Sequence, residues 1–236
     1  MRVFAGPNGS GKTTIVNKLR DEISFGVYVN ADDIENTLQG TKAIEFDTYK
    51  LTIQEVTLQN FFKESTFSPI KRNELDLWSK VTVTANVLYI HTFIDSYLAA
   101  DIAEFIRRML LSNGISFTYE TVMSHENKVA FLQEARDSGY RVYLYFIATE
   151  TPEINISRVD VRVAQHGHTV APEIIKNRYY KSLQNLKNAV KKSNRTYVWD
   201  NSGTVALLVA EITDGLEVRI IDTDNVPNWF VKYIVE

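Results

Sequence analysis

The chain has 236 residues, 44% apolar and 23% charged, ordinary proportions for one large globular domain or two small ones. A formal net charge of −3, from 26 basic and 29 acidic residues, excludes a generally basic nucleic-acid-binding surface. The absence of cysteine excludes disulfide scaffolds, zinc–thiolate sites and cysteine nucleophiles. No secretory signal is legible at the N-terminus, and no apolar run approaches the roughly 20 residues of a membrane helix. A soluble, cytoplasmic protein with neither a membrane nor a nucleic acid as partner is therefore expected.

Apolar runs of strand length alternate with longer amphipathic segments, the pattern of a parallel sheet flanked by helices. Residues 3–5 read as a buried strand and 13–22 as a helix, with Ile15, Val16 and Leu19 on one face. Strands follow over 27–30 and 116–120, the second ending on an acid. Between them, 49–64 has a helical pattern broken at Ser68-Pro69, and 81–84 is a β-branched run. A helix over 97–111 carries Leu98, Ile102, Phe105, Ile106, Met109 and Leu110 on one stripe and stops at Asn113-Gly114. The clearest strand is 140–148, and another is expected at 195–199. Two helices between them open at Pro152 and Pro172, each with an acid next in sequence. Strands are expected over 204–211, 216–221 and 229–235, with Asp214-Gly215 as a tight turn, forming an antiparallel appendage at one sheet edge.

Between the first strand and the first helix stands Gly6-Pro7-Asn8-Gly9-Ser10-Gly11-Lys12-Thr13, which meets every fixed position of G-x-x-x-x-G-K-[ST]. Such a loop converges backbone N–H groups on phosphate oxygens and aims a helix dipole at them. Gly6 to Thr14 are thus candidate ATP-binding residues, with Lys12 on the β- and γ-phosphates and the Thr13 hydroxyl on Mg²⁺. After the second strand, Asn30-Ala31-Asp32-Asp33 places acids where a general base can take the proton of an attacking hydroxyl. The alternative is that Asp32 or Asp33 caps a helix beginning at Ile34. Glu120, at a strand end, is a candidate to hold Mg²⁺ through water or to orient the acceptor, the alternative being a solvated acid at a strand end. Arg158 and Arg162 share a helix face, four residues apart, and Arg178 follows on the next helix. Their position after the last core strand suits a lid whose arginines settle on the transferring phosphoryl group. Gln165-His166-Gly167-His168 reads as a hinge or surface loop, since two histidines without a third ligand make a weak metal site.

Taken together, residues 5–14 (AGPNGSGKTT), 30–35 (NADDIE), 119–125 (YETVMSH), 139–146 (GYRVYLYF), 152–159 (PEINISRV), 162–168 (RVAQHGH), 178–182 (RYYKS) and 199–202 (WDNS) resemble the zeta toxin family of P-loop kinases. The resemblance covers residues 1–40 and about 96–202, and most closely follows the shorter chromosomal members, which share Thr121-Val122 after the acid. It implies an ATP-dependent kinase of UDP-N-acetylglucosamine, a nucleotide sugar, with an antitoxin protein as partner. Carried over by position, it implies Lys12 and Thr13 on ATP and Mg²⁺, Asp32 as the base, and Glu120 and Thr121 facing the acceptor. Arg158 and Arg162 are then the lid arginines.

The expected fold is α/β, a P-loop NTPase with a C-terminal antiparallel β appendage. The expected organisation is one kinase domain over 1–236, with an inserted helical segment at about 41–95 and the appendage at about 204–236. The insertion falls where such kinases bind their acceptor, so another nucleotide, a nucleoside or an antibiotic is an alternative acceptor. A nucleotide-gated binding module is a further alternative, with Trp78, Tyr89, Phe93, Trp229 and Phe230 as contacts instead of core.

Overall fold

The computed structural model of the chain describes residues 1–164 and 170–236. In chain order the elements are β1 (Arg2–Ala5), α1 (Lys12–Leu19), β2 (Val27–Val29), α2 (Ala31–Thr41), β3 (Ala43–Glu45), α3 (Glu55–Glu64), α4 (Ser68–Lys71), β4 (Val81–Thr84) and β5 (Val87–Ile90). Then come α5 (Ser96–Ser112), β6 (Phe117–Thr121), α6 (Glu126–Asp137), β7 (Tyr143–Ala148), α7 (Pro152–Ala164), α8 (Pro172–Lys191), β8 (Arg195–Asp200), β9 (Leu207–Thr213), β10 (Glu217–Ile220) and the helical turn α9 (Asn228–Phe230). The fold is α/β with a mostly parallel sheet. The chain divides into two compact units, residues 1–24 with 119–236, and residues 25–118.

In the first unit the strands run in the order β10-β9-β8-β7-β1-β6. Strands β1, β7 and β8 are parallel, with Val3 opposite Leu144 and Leu144 opposite Thr196. Their near-continuous apolar sequences suit strands covered on both faces: Val3, Phe4, Leu144, Phe146 and Val198 are wholly buried. The chain then reverses, and β9 and β10 pair antiparallel, giving the expected appendage at the sheet edge. Asp214 and Gly215 both take left-handed backbone (φ 48° and 72°), as a tight hairpin turn requires.

The last expected strand is a correction. Residues 228–230 form a helical turn and 231–235 a π-turn, opened by Pro227 at φ −72°. Trp229 and Phe230 are adjacent and both buried, at 3% and 0% exposure. A strand would send neighbours to opposite faces, whereas a helical turn lets both pack into one core. Trp229 also donates its indole N–H to Asp200 at 2.8 Å.

The second unit packs α2 against α5, and α5 against β2. Asp95 caps α5 by accepting the Leu98 N–H at 3.0 Å, and Gly114 takes left-handed backbone (φ 68°) just past its end. The segment 41–95, expected to be helical, carries a three-stranded antiparallel sheet in the order β3-β5-β4. Residues 49–64 are likewise not one helix: a 3₁₀ turn at Phe46–Tyr49 ends on Lys50 in left-handed backbone, and α3 begins only at Glu55. The common cause is Asn86. With Ala85 it makes the β4–β5 turn (φ 49° and 63°), and its carboxamide binds Asp47, the Leu51 carbonyl and the Ile53 N–H, at 2.8, 2.9 and 3.0 Å. That holds 51–53 out of helical conformation. An ion network closes the segment: Arg72 bonds Glu74 and Asp95, and Lys80 bonds Glu74. Burial raises the Glu74 pKa, but bonds from Lys80, Thr92 and Arg72 outweigh it and hold the carboxyl down at about 2.

Of the five aromatics weighed above, Trp229 and Phe230 are core, whereas Tyr89 and Phe93 are 41% and 76% exposed; Trp78 is half-buried, with the Lys63 ammonium 4.5 Å from its ring. No helix among the described residues is long and apolar enough to cross a membrane.

Candidate active site

The loop between β1 and α1 sits at the carboxyl end of β1, whose sheet neighbours are β7 and β6, the position where open α/β sheets bind ligands. Two glycines show why this sequence is needed. Gly9 (φ 74°) passes so close to α7 that an added Cβ would lie 2.5 Å from the Asn155 carbonyl oxygen. At Gly11 (φ 91°) it would lie 2.1 Å from Asn201 Nδ2. Only glycine allows both the backbone and the approach. Lys12 lies across the loop, with Nζ 2.9 Å from the Gly6 carbonyl and 3.0 Å from that of Pro7. Ser10 is wholly buried, and Thr13 and Thr14 are exposed at the start of α1.

The Thr13 hydroxyl lies 3.2 and 3.4 Å from the two carboxylate oxygens of Glu120, at the end of β6. A hydroxyl beside a carboxylate at the mouth of the loop offers the hard oxygen donors Mg²⁺ selects, so these two residues fit the ion. Among the described residues no cluster of three histidine, aspartate or glutamate side chains could hold a metal by itself. Thr121 is engaged otherwise: its carbonyl accepts the Gly6 N–H at 3.2 Å and its hydroxyl the Met123 N–H at 3.2 Å. It braces the loop against β6.

The three arginines have different surroundings. Arg178, on α8, reaches the loop, its Nη1 3.4 Å from Asn8 Oδ1. Arg158, on α7, gives Nη2 to the Gly203 carbonyl at 3.1 Å. Arg162 is exposed on the last turn of α7. Residues 165–168, expected to form a hinge or surface loop, lie outside the described residues. Beside Arg178 a cavity of about 310 Å³ is lined by Ser124, His125, Asn177 and Lys181 among others.

Sequence reasoning passed over Asn155 and Asn201, which grip the loop. Asn155 donates Nδ2 to the Asn8 carbonyl at 2.5 Å, and Asn201 donates Nδ2 to that of Ser10 at 2.8 Å. Both stand in segments 152–159 and 199–202, where only the motif pattern pointed to them. Tyr179, next to Arg178, donates its hydroxyl to the Thr149 carbonyl at 2.7 Å, and burial first, then nearby Glu150, raises its pKa well above the tyrosine range.

Asp32 belongs to the second unit, in the first turn of α2. That helix is capped by Asn30, whose Oδ1 accepts the Asp32 N–H at 2.9 Å, and it begins at Ala31, three residues before the expected start. Neither acid is the cap, and both carboxylates are exposed.

Against known proteins, the zeta toxin family model matches residues 82–212, more than half of the chain. The chain belongs to the zeta toxin family. Because that match begins past the P-loop, the phosphate cradle is an independent observation. The chain is 34% identical over 69 residues to an uncharacterized protein of Haemophilus influenzae, covering 29% of this chain and 49% of that one. The match thus spans about half the length of that relative. Among solved structures, the AvrRxo1-ORF1:AvrRxo1-ORF2 crystal structure with sulphate ions is similar at a TM-score of 0.52 and 13% identity, over 94% of this chain and 61% of that one. The same complex crystallised with ATP gives 0.51 and 14%, over 93% and 60%. At these identities the likeness is one of fold.

Proposed function

We propose that this protein is an ATP-dependent phosphotransferase that moves the γ-phosphoryl group of ATP to a sugar hydroxyl of UDP-N-acetylglucosamine. One observation carries the reading: a complete phosphate loop between β1 and α1, its lysine lying across the loop and its threonine paired with a strand-end acid. Family membership supports the kinase chemistry and an antitoxin protein as partner. The cations Arg178 and Lys181, with His125, outnumber the one acid, Glu173, around the cavity beside the loop and suit an acceptor that is itself anionic, as a nucleotide sugar is. Another phosphorylated acceptor would suit the same cations.

Loop N–H groups and Lys12 offset the charge of the phosphates and hold the γ-phosphoryl group for in-line attack. Thr13 and Glu120 are the residues that would hold Mg²⁺, which would supply further charge neutralisation on the phosphates. Asp32, assigned from the sequence of its turn, takes the proton as the acceptor oxygen bonds to γ-phosphorus. The bond from γ-phosphorus to the bridging oxygen breaks, and ADP leaves with the electron pair. Arg178, with Nη1 3.4 Å from Asn8 Oδ1, is the arginine we assign to offset charge on the transferring group, while Arg158 bonds the Gly203 carbonyl. Arg178→Ala should therefore lower turnover by on the order of 10³, and Arg158→Ala by far less, in initial-rate assays at saturating ATP.

ADP release with and without acceptor tests the reading. A kinase forms ADP quickly only when its acceptor is present; ADP formation at one slow rate under all conditions would favour a nucleotide-gated binding module.

A further inference from the structure

The peptide joining Asn8 to Gly9 is trans and planar, as is that joining Ser10 to Gly11, the described chain having no cis bonds. In such a unit the carbonyl and the following N–H point in opposite directions. Whatever holds the Asn8 carbonyl therefore aims the Gly9 N–H, and whatever holds the Ser10 carbonyl aims the Gly11 N–H. Asn155 and Asn201 hold those two carbonyls, one from α7 and one from the residue following β8.

Both carboxamides are fixed from behind. Asn155 is wholly buried, and its Oδ1 accepts the Thr149 hydroxyl, which leaves Nδ2 to face the loop. Thr149 is itself anchored by the Tyr179 hydroxyl on its carbonyl. Asn201 is 9% exposed, and its backbone N–H bonds the Ala148 carbonyl at 2.8 Å, tying it to the end of β7. The steric fit is matched on the other side, since Gly9 and Gly11 are the positions where a Cβ would strike Asn155 and Asn201.

We propose that Asn155 and Asn201 are positioning residues for nucleotide phosphates, presetting the Gly9 and Gly11 N–H groups toward the ligand before it arrives. A glycine-rich loop has many conformations to lose on binding, and two buried donors remove much of that loss in advance. This rests on the reading of the loop as a nucleotide site. It goes beyond that reading in naming what shapes the loop.

The test is titration of the full chain with a fluorescent ADP analogue and, by competition, with inorganic triphosphate, alongside thermal melting. Asn155→Ala and Asn201→Ala should each raise Kd for both ligands roughly tenfold, the scale of one well-placed hydrogen bond. Equal loss for ADP and triphosphate places the effect at the phosphates. Thr149→Val leaves both asparagines in place but removes the hydroxyl that orients Asn155; it should weaken both ligands by a smaller factor, and it carries the test if Asn155→Ala does not fold. Variants that melt earlier but bind both ligands with unchanged Kd would overturn the proposal and leave the asparagines with a structural role. Failure of the unmodified chain to bind ADP would overturn the nucleotide reading and this inference together.

Discussion

Lys12→Ala is expected to cost on the order of 10³ in kcat/KM for ATP. A unit charge about 4 Å from a phosphate oxygen, at the effective dielectric near a protein surface, is worth about 4 kcal/mol. At 1.36 kcal/mol per decade of rate, that is roughly three decades. ATP affinity should fall with it, because the same ammonium meets the ground-state phosphates. Lys12→Arg should fare little better. The ammonium is a compact point charge fitted between the Gly6 and Pro7 carbonyls at 2.9 and 3.0 Å, and a planar guanidinium does not fit that space. Initial rates and an ATP titration measure both effects, with thermal melting as the check on folding. Near-normal turnover in a folded Lys12→Ala protein would remove the loop from the chemistry.

Asp32→Asn should preserve ATP binding and lose roughly 10²–10⁴ in turnover, the range for a missing general base. The structure sharpens this test. Asparagine caps a helix about as well as aspartate, so this substitution would disturb a cap little in any case. Asn30 is the cap, so only the favourable interaction of Asp32 with the dipole of α2 is lost, about 0.3–1 kcal/mol for an exposed group. Large kinetic loss with little change in melting is therefore the expected pair of results. Turnover within threefold of the parent would show that Asp32 is not the base.

The cradle was legible because its chemistry fixes residue types: glycines for the conformation, a lysine for charge, a threonine hydroxyl for the metal, all between a strand and a helix. The parallel strands were legible because burial on both faces leaves continuous apolar runs, as at β7. The hairpin at Asp214-Gly215 showed in its turn residues. What escaped the sequence depended on partners distant along the chain. Asn86 reshapes residues 47–53 through its carboxamide, and Asn86 in a turn gives no sign of that reach. The β4–β5 turn uses Ala85, an unusual residue for left-handed backbone, so the hairpin was half-hidden. Trp229 and Phe230 carry strand-like composition but belong to a helical turn, because both must enter one core. Asn155 and Asn201 carry no signal of their own in the sequence, because their role depends on the loop they hold, far away along the chain.

Product mass is the measurement to make first: the protein, ATP and Mg²⁺ incubated with UDP-N-acetylglucosamine, and the sugar nucleotide examined by mass spectrometry with Asp32→Asn run in parallel. The expected result is a gain of one phosphoryl group by the sugar nucleotide, lost in the variant. An unmodified sugar nucleotide, with ATP bound but unconsumed, would contradict the assignment of this acceptor.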